Sequence, residues 1–179
     1  MCRRGSNRLM TKMSRIDKND KNIEQRYRVI IEIPKGNMNN KYEFHEDSGE
    51  FKLDFVFENL TWPYNYGFFP RTLAGDGDTV DAIVLSFAPI KQGTAVDCKV
   101  IGMLEVLDRR EEDNKIICVP ADDQLSQNLN DITDVSDAQK QEWVQFLQEL
   151  ARQKKKTVEI KGFLGKDRAE DEIKKSVLK

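Results

Sequence analysis

Residues 94–120 read TAVDCKVIGMLEVLDRREEDNKIICVP, two apolar runs around an acidic tip. Thr94 to Leu107 reads as a strand long enough to bend at Gly102, and Lys115 to Val119 as a second strand stopped by Pro120. Between them Asp108 and Asp113 flank Arg109-Arg110-Glu111-Glu112, so both acids can share one hairpin tip. Such tips are most often plain soluble turns. Taken alone, this one carries no function.

Working back toward the N-terminus, the same strand signals recur at close spacing. In Arg28 to Ile33, Val29, Ile31 and Ile33 fall on one face and Glu32 on the other. Pro34, Gly36 and the asparagines at 37, 39 and 40 mark a turn. Lys41 and Glu43 then share a face, with Tyr42 and Phe44 opposite. Phe51 to Phe57 and Val80 to Leu85 read as further strands, and Pro63 with Gly67 excludes a regular helix between them.

Beyond Pro120 the period becomes helical. Ser136 with Gln139 is a capping-box pattern opening a helix with the apolar stripe Trp143, Phe146, Leu147 and Leu150. Lys154, Lys155 and Lys156 close it in the manner the helix dipole favours. A short strand, Thr157 to Lys161, precedes a terminal helix for which Asp167 and Glu170 form a second capping pair. The expectation is an α+β, mainly β chain: residues 25–179 as one domain, a small β-barrel with two packed helices, after a polar tail at residues 1–24.

Bulk properties narrow the function. A net charge of −2 over 179 residues gives no ground for a nucleic-acid or membrane partner. The three cysteines, Cys2, Cys98 and Cys118, are odd in number and lack a CxxC pair, so a reduced, cytoplasmic setting fits better than a disulfide framework. A lone histidine, His45, argues against histidine-based zinc chemistry or a triad.

The chemistry-bearing stretch is Asp76-Gly77-Asp78-Thr79-Val80-Asp81. Three carboxylates this close repel one another unless a cation neutralises them, and Gly77 lets Asp76 and Asp78 turn toward one point. Oxygen ligands without His or Cys suit Mg²⁺ or Mn²⁺. A solvated acidic loop has the same composition. An EF-hand is excluded, because position six is Asp81 rather than Gly and position twelve is Phe87 rather than Glu. Glu32, Lys41 and Glu43 allow either surface charge or a site for phosphate and a further cation.

In order and spacing, IEIPKGNMNNKYEF, PYNYGFFPRTLAGDGDTVDAIVL and GMLEVLDRREEDNKIICVP resemble the signature of soluble family I inorganic pyrophosphatases. The resemblance covers about Tyr27 to Phe163. It implies a five-stranded OB-like barrel that splits pyrophosphate into two phosphates with Mg²⁺, about three or four ions per site. It implies Asp76, Asp81, Asp108, Asp113, Glu32 and Glu43 as metal ligands and Asp78 as the general base. Lys41, Tyr66 and Lys115 match residues that bind phosphate or steady the site. Bacterial relatives of similar length imply a homo-oligomer, with a hexamer as one form.

The match breaks where phosphate would be gripped. Phe55 stands where the family usually has Arg, Trp62 where it has Tyr, and Leu150-Ala151 where it has a Tyr-Lys pair. Phe55 and Leu150 cannot bind an anion, and Trp62 offers one N–H donor. Arg152, Arg71 and Lys35 are the candidates to replace the lost cations. Two other readings follow: a divergent relative that keeps the metals but has low activity, acts on another phosphoanhydride or only binds one, and an OB-type binder of single-stranded nucleic acid. The acidic mouth opposes the second.

Overall fold

The computed structural model describes residues 25–178, so the expectation for residues 1–24 lies outside it. Among the described residues, nine strands and two α-helices follow in order: β1 Tyr27–Ile33, β2 Met38–His45, β3 Glu50–Thr61, β4 Asn65–Phe69, β5 Val80–Val84, β6 Ala95–Asp108, β7 Glu111–Glu112, β8 Lys115–Pro120, α1 Asp137–Gln153, β9 Val158–Gly165 and α2 Lys166–Ser176. Five strands close a ring in the order β1-β4-β5-β8-β6, because β6 pairs back onto β1. The β5–β8 pair is parallel and the other ring pairs are antiparallel. Strands β2 and β3 form a separate hairpin. The mainly β architecture with two helices is therefore as the sequence led one to expect.

Alternation along the ring sorts the apolar side chains into two clusters. One joins Ile83, Ile101, Ile117 and Leu104 to Trp62, Tyr64 and Tyr66 and to Trp143 and Leu147 of α1. The other joins Val29, Ile31, Ala82, Val100 and Cys118 to Ala169 and Ile173 of α2. Gly67 lets β1 and β4 approach: a Cβ there would fall 2.0 Å from the Ile30 carbonyl oxygen.

Strand β1 departs from the expected alternation. Ile31 faces Gly67 and Ile33 faces Tyr66, so Glu32 is the extra residue of a bulge. Val29 and Ile31 lie in one cluster and Ile33 in the other. Simple alternation fails here because the bulge reverses the facing of everything beyond it. Strand β6 also slips register between Val100 and Gly102, where the bend was expected.

Two capping expectations turn out differently. Ser136 caps α1, accepting from the Gln139 N–H at 3.3 Å. Helix α2, however, starts at Lys166 behind Gly165, which supplies no side-chain cap, so Asp167 is inside the helix rather than its cap. The missing acceptor comes from far along the chain: Asp131 Oδ2 takes the Lys166 N–H at 2.9 Å while its Oδ1 takes the Thr133 N–H at 3.1 Å. Sequence spacing cannot reveal a cap delivered from another segment.

Helix α1 ends in a Schellman turn. The Lys156 N–H bonds the Ala151 carbonyl at 2.9 Å and the Lys155 N–H bonds the Arg152 carbonyl at 3.1 Å. Lys155 has a φ of 55°, the place glycine usually takes in this motif. The turn directs Lys154 and Lys156 back toward the sheet. Those two lysines thus do more than balance the helix dipole.

Candidate active site

The site assembles where β5 and β8 run side by side. Parallel pairing sets Asp81 opposite Lys115, which follows closely on Asp113 at the hairpin end. The Lys115 ammonium, nearly buried, bonds Asp81 Oδ2 at 2.5 Å and also bonds the Asp113 carboxylate. Tyr66 on the neighbouring strand β4 donates its hydroxyl to the same Asp81 oxygen at 2.6 Å. Two acidic segments far apart in sequence therefore meet on one cation.

Each other residue arrives by its own element. The β1 bulge carries Glu32, 8% exposed, whose Oε1 accepts the Phe44 N–H at 2.7 Å. On β2, Lys41 bonds Glu43 directly and Asp54 Oδ2 at 3.0 Å. In the turn before β5, Gly77 has a φ of 90° and the Asp78 N–H bonds Asp76 Oδ1 at 3.1 Å. Asp108 differs from the rest in its bonding: its Oδ2 takes Lys156 at 2.6 Å, and its buried Oδ1 has no partner among the described residues.

Crowding of Glu32, Lys41, Asp78, Asp113 and Lys115 shifts their proton affinities. Burial, then Asp81 and Glu43, lifts the Glu32 carboxyl to about 8 against the pull of the Phe44 N–H. Asp78 is raised by burial and by Asp76, Glu43 and Asp81. Asp113 is raised by burial and by Asp81 and Asp76, with Lys115 opposing. Burial would lower Lys115, but Asp81 and Asp113 outweigh it and hold the ammonium charged. Burial likewise works against Lys41, which Glu43 and Asp54 keep protonated. Carboxylates that raise one another's affinity for protons attract any other cation for the same reason.

Among the described residues, no three of these acids stand close enough in their present rotamers to surround one ion. The donor set nonetheless fits a hard divalent cation. It consists of oxygens only, Asp108 Oδ1 is buried and unsatisfied, and lysines occupy the positive positions between carboxylates.

The altered phosphate pocket has a definite arrangement of its own. Trp62 donates its Nε1–H to the Asn40 carbonyl at 3.1 Å, so that donor is committed. Leu150 packs against the first apolar cluster and Ala151 is buried. Of the candidate replacements, Arg152 is tied to Glu149 at 2.6 Å and Lys35 lies 3.4 Å from the Ser86 carbonyl. The cation that does reach the pocket is Lys154, which was not among those candidates. Its ammonium lies over the Phe55 ring, 5.4 Å from the centroid, and bonds Asp54 at 2.7 Å. The Lys154-Lys155-Lys156 run is the sequence signal for it, hidden because a helix end accounts for such a run by itself.

A closed ring of five strands, with carboxylates and lysines interleaved at its mouth, defines a protein of the OB-like barrel class. The inorganic pyrophosphatase family profile matches residues 29–179. An inorganic pyrophosphatase of Synechocystis is 40% identical over 136 residues, 75% of this chain and 80% of its own. The Thermus thermophilus inorganic pyrophosphatase is 39% identical over 150 residues, 82% of this chain and 85% of its own. Its crystal structure superimposes with a TM-score of 0.79, covering 88% of this chain and 92% of that one. The Helicobacter pylori enzyme gives 0.80 at 34% identity, covering 86% and 92%. This chain belongs to the inorganic pyrophosphatase family.

Proposed function

We infer that the chain hydrolyses inorganic pyrophosphate to two phosphates in a Mg²⁺-dependent reaction. The observation that carries this reading is the meeting of Asp81 and Asp113 on Lys115, which unites the two acidic segments. Asp76, Asp81, Asp108, Asp113, Glu32 and Glu43 would hold the cations. Bound there, divalent ions neutralise the substrate's charge and acidify the attacking water.

The chain's own groups divide the remaining work. Asp78 accepts the proton as the water oxygen bonds to phosphorus and the bridging P–O bond breaks. Lys41 and Lys115 supply N–H donors to phosphate oxygens as negative charge shifts onto the departing phosphate. Tyr66, whose hydroxyl donates to Asp81, fixes that carboxylate's orientation; with a cation on Asp81 the hydroxyl would be released to donate to a phosphate oxygen. The water oxygen displaces the departing phosphate in one step, without a covalent bond to the protein.

Purified protein with Mg²⁺ releases phosphate from pyrophosphate on this reading, and Asp78→Asn removes the release. Equal inertness of both proteins would contradict it. The substituted pocket at Phe55, Trp62, Leu150 and Ala151 favours a second reading, a slower enzyme or a binder of another phosphoanhydride. A panel of pyrophosphate, tripolyphosphate and a nucleoside triphosphate separates the two, the second requiring slow turnover of pyrophosphate, faster turnover of a longer substrate, or none of any.

The free, buried thiols of Cys98 and Cys118 support a reducing, cytoplasmic setting. No helix among the described residues is long and apolar enough to cross a membrane. We read the assembly as a homo-oligomer on the strength of its family, with a hexamer the first form to test by light scattering.

A further inference from the structure

The cluster around Asp54 brings two ammonium groups onto a single carboxylate oxygen. Asp54 is the extra residue of a bulge in β3, since Lys41 faces Phe55 and Tyr42 faces Leu53 across the hairpin. Its Oδ2 takes both Lys41 at 3.0 Å and Lys154 at 2.7 Å. Lys41 has Glu43 as a second carboxylate partner, whereas Lys154 pairs with the shared Asp54 alone among the described residues. The Lys154 ammonium carries three N–H donors, and among the described residues its only hydrogen bond is to Asp54. The Phe55 face beneath it attracts the charge without accepting a hydrogen bond.

Lys154 is also held in place before any ligand arrives. The Schellman turn fixes its backbone at the end of α1. One residue earlier, the Gln153 amide clasps β3 on both sides: its Oε1 accepts the Glu58 N–H at 2.7 Å and its Nε2 donates to the Glu58 carbonyl at 3.0 Å. The strand that bears Asp54 and Phe55 is thereby bolted to the helix end that bears Lys154. Its ammonium shares the Asp54 Oδ2 atom with Lys41, which sets it beside Lys41 and Glu43 of the site described above. The Lys154 side chain is 19% exposed, so it is not sealed from a ligand.

We propose that Lys154 is a substrate-binding residue, which grips a phosphate group of the substrate from above the Phe55 ring, together with Lys41. The inference rests on the pyrophosphatase reading and extends it to the pocket where this chain departs from its family. Phe55 is then a platform that steers the lysine, and Asp54 keeps the two ammonium groups close despite their repulsion. Anion binding replaces part of the Asp54 bonding with charge-assisted contacts to phosphate oxygens.

The test uses the full chain in two assays. In the first, calorimetric titration with inorganic phosphate and Mg²⁺ compares wild type, Lys154→Met, Lys154→Arg and Lys155→Gly. Lys155→Gly removes the same charge from the neighbouring residue and keeps the positive-φ turn intact. Lys154→Met should weaken phosphate binding by about tenfold or more, Lys154→Arg should restore most of it, and Lys155→Gly should match wild type. In the second, steady-state hydrolysis of pyrophosphate should show KM raised in Lys154→Met by more than kcat falls. Adding Phe55→Arg to Lys154→Met should recover KM, because it returns a cation to the same pocket.

Equal weakening by Lys154→Met and Lys155→Gly would overturn the proposal, since only long-range charge would then matter. Unchanged binding in a folded Lys154→Met protein would overturn it too. If wild type binds phosphate through Lys154 but releases none from pyrophosphate, the pyrophosphatase reading fails and the phosphate-gripping role of Lys154 stands. If wild type hydrolyses pyrophosphate and Lys154→Met does so equally well, the pyrophosphatase reading stands and the role of Lys154 fails.

Discussion

The Lys115 ammonium lies 2.5 Å from Asp81 Oδ2 and joins strands β5 and β8 at the mouth of the ring. With Asp113 as its second partner, it is a buried cation placed where repelling carboxylates would otherwise force the strands apart. The same ammonium serves stability now and substrate binding in the proposed reaction.

Lys115→Met should therefore destabilise the fold by about 3 to 5 kcal/mol, because it leaves two partly buried carboxylates unpaired. Added Mg²⁺ should raise the melting temperature of Lys115→Met more than that of wild type, since the ion takes over the lost positive charge. Thermal melts with and without Mg²⁺ measure both. A variant as stable as wild type without the metal would show that the pair is dispensable.

Asp131 should link stability to pH. Burial alone would raise its carboxyl, but the N–H groups of Lys166 and Thr133 outweigh that and hold it below the ordinary carboxylate range. A depressed pKa in the folded state means that the stabilisation is present above the ordinary carboxylate pKa and is lost as pH falls through the folded value. Asp131→Ala should cost about 1 to 2 kcal/mol at neutral pH, and the gap from wild type should shrink as the solution is acidified below the carboxylate range. Urea denaturation at several pH values follows it. A constant gap would mean that Asp131 acts through packing instead.

The hairpin tip carries strain. Arg109 and Arg110, with φ of 52° and 74°, occupy the two positions of a turn between Asp108 and Glu111 where an asparagine followed by a glycine is favoured. The double substitution R109N with R110G supplies that pair. It should raise stability by about 1 kcal/mol, read as a higher urea midpoint. An unchanged or lower midpoint would indicate that the arginine side chains compensate for their backbone.

Much of this was legible in the sequence, for reasons local to each segment. The short apolar runs of β5 and β8 read as strands without help from any distant partner, and they carry Asp81 and Lys115. The Asp76–Asp81 spacing advertises its own repulsion, and the acidic tip announces a turn. What was hidden depends on partners distant in sequence. The bulge at Glu32 arises only against Tyr66 and Gly67 of β4. The cap on α2 comes from Asp131, 35 positions away from Lys166. Lys154 finds Asp54 across 100 positions, through a helix end whose αL residue is a lysine rather than the expected glycine.

At the heart of the proposed reaction, acids from two separate segments hold divalent cations around a phosphate-bearing substrate. Crystals of the full chain grown with Mn²⁺ and phosphate can show this outright, because manganese is located by its anomalous scattering. Anomalous peaks should lie within coordination distance of Asp81 and Asp113, with Lys115 turned toward a phosphate oxygen. Bound manganese elsewhere, with Lys115 still closed on both carboxylates and no ion between them, would refute the shared cation site.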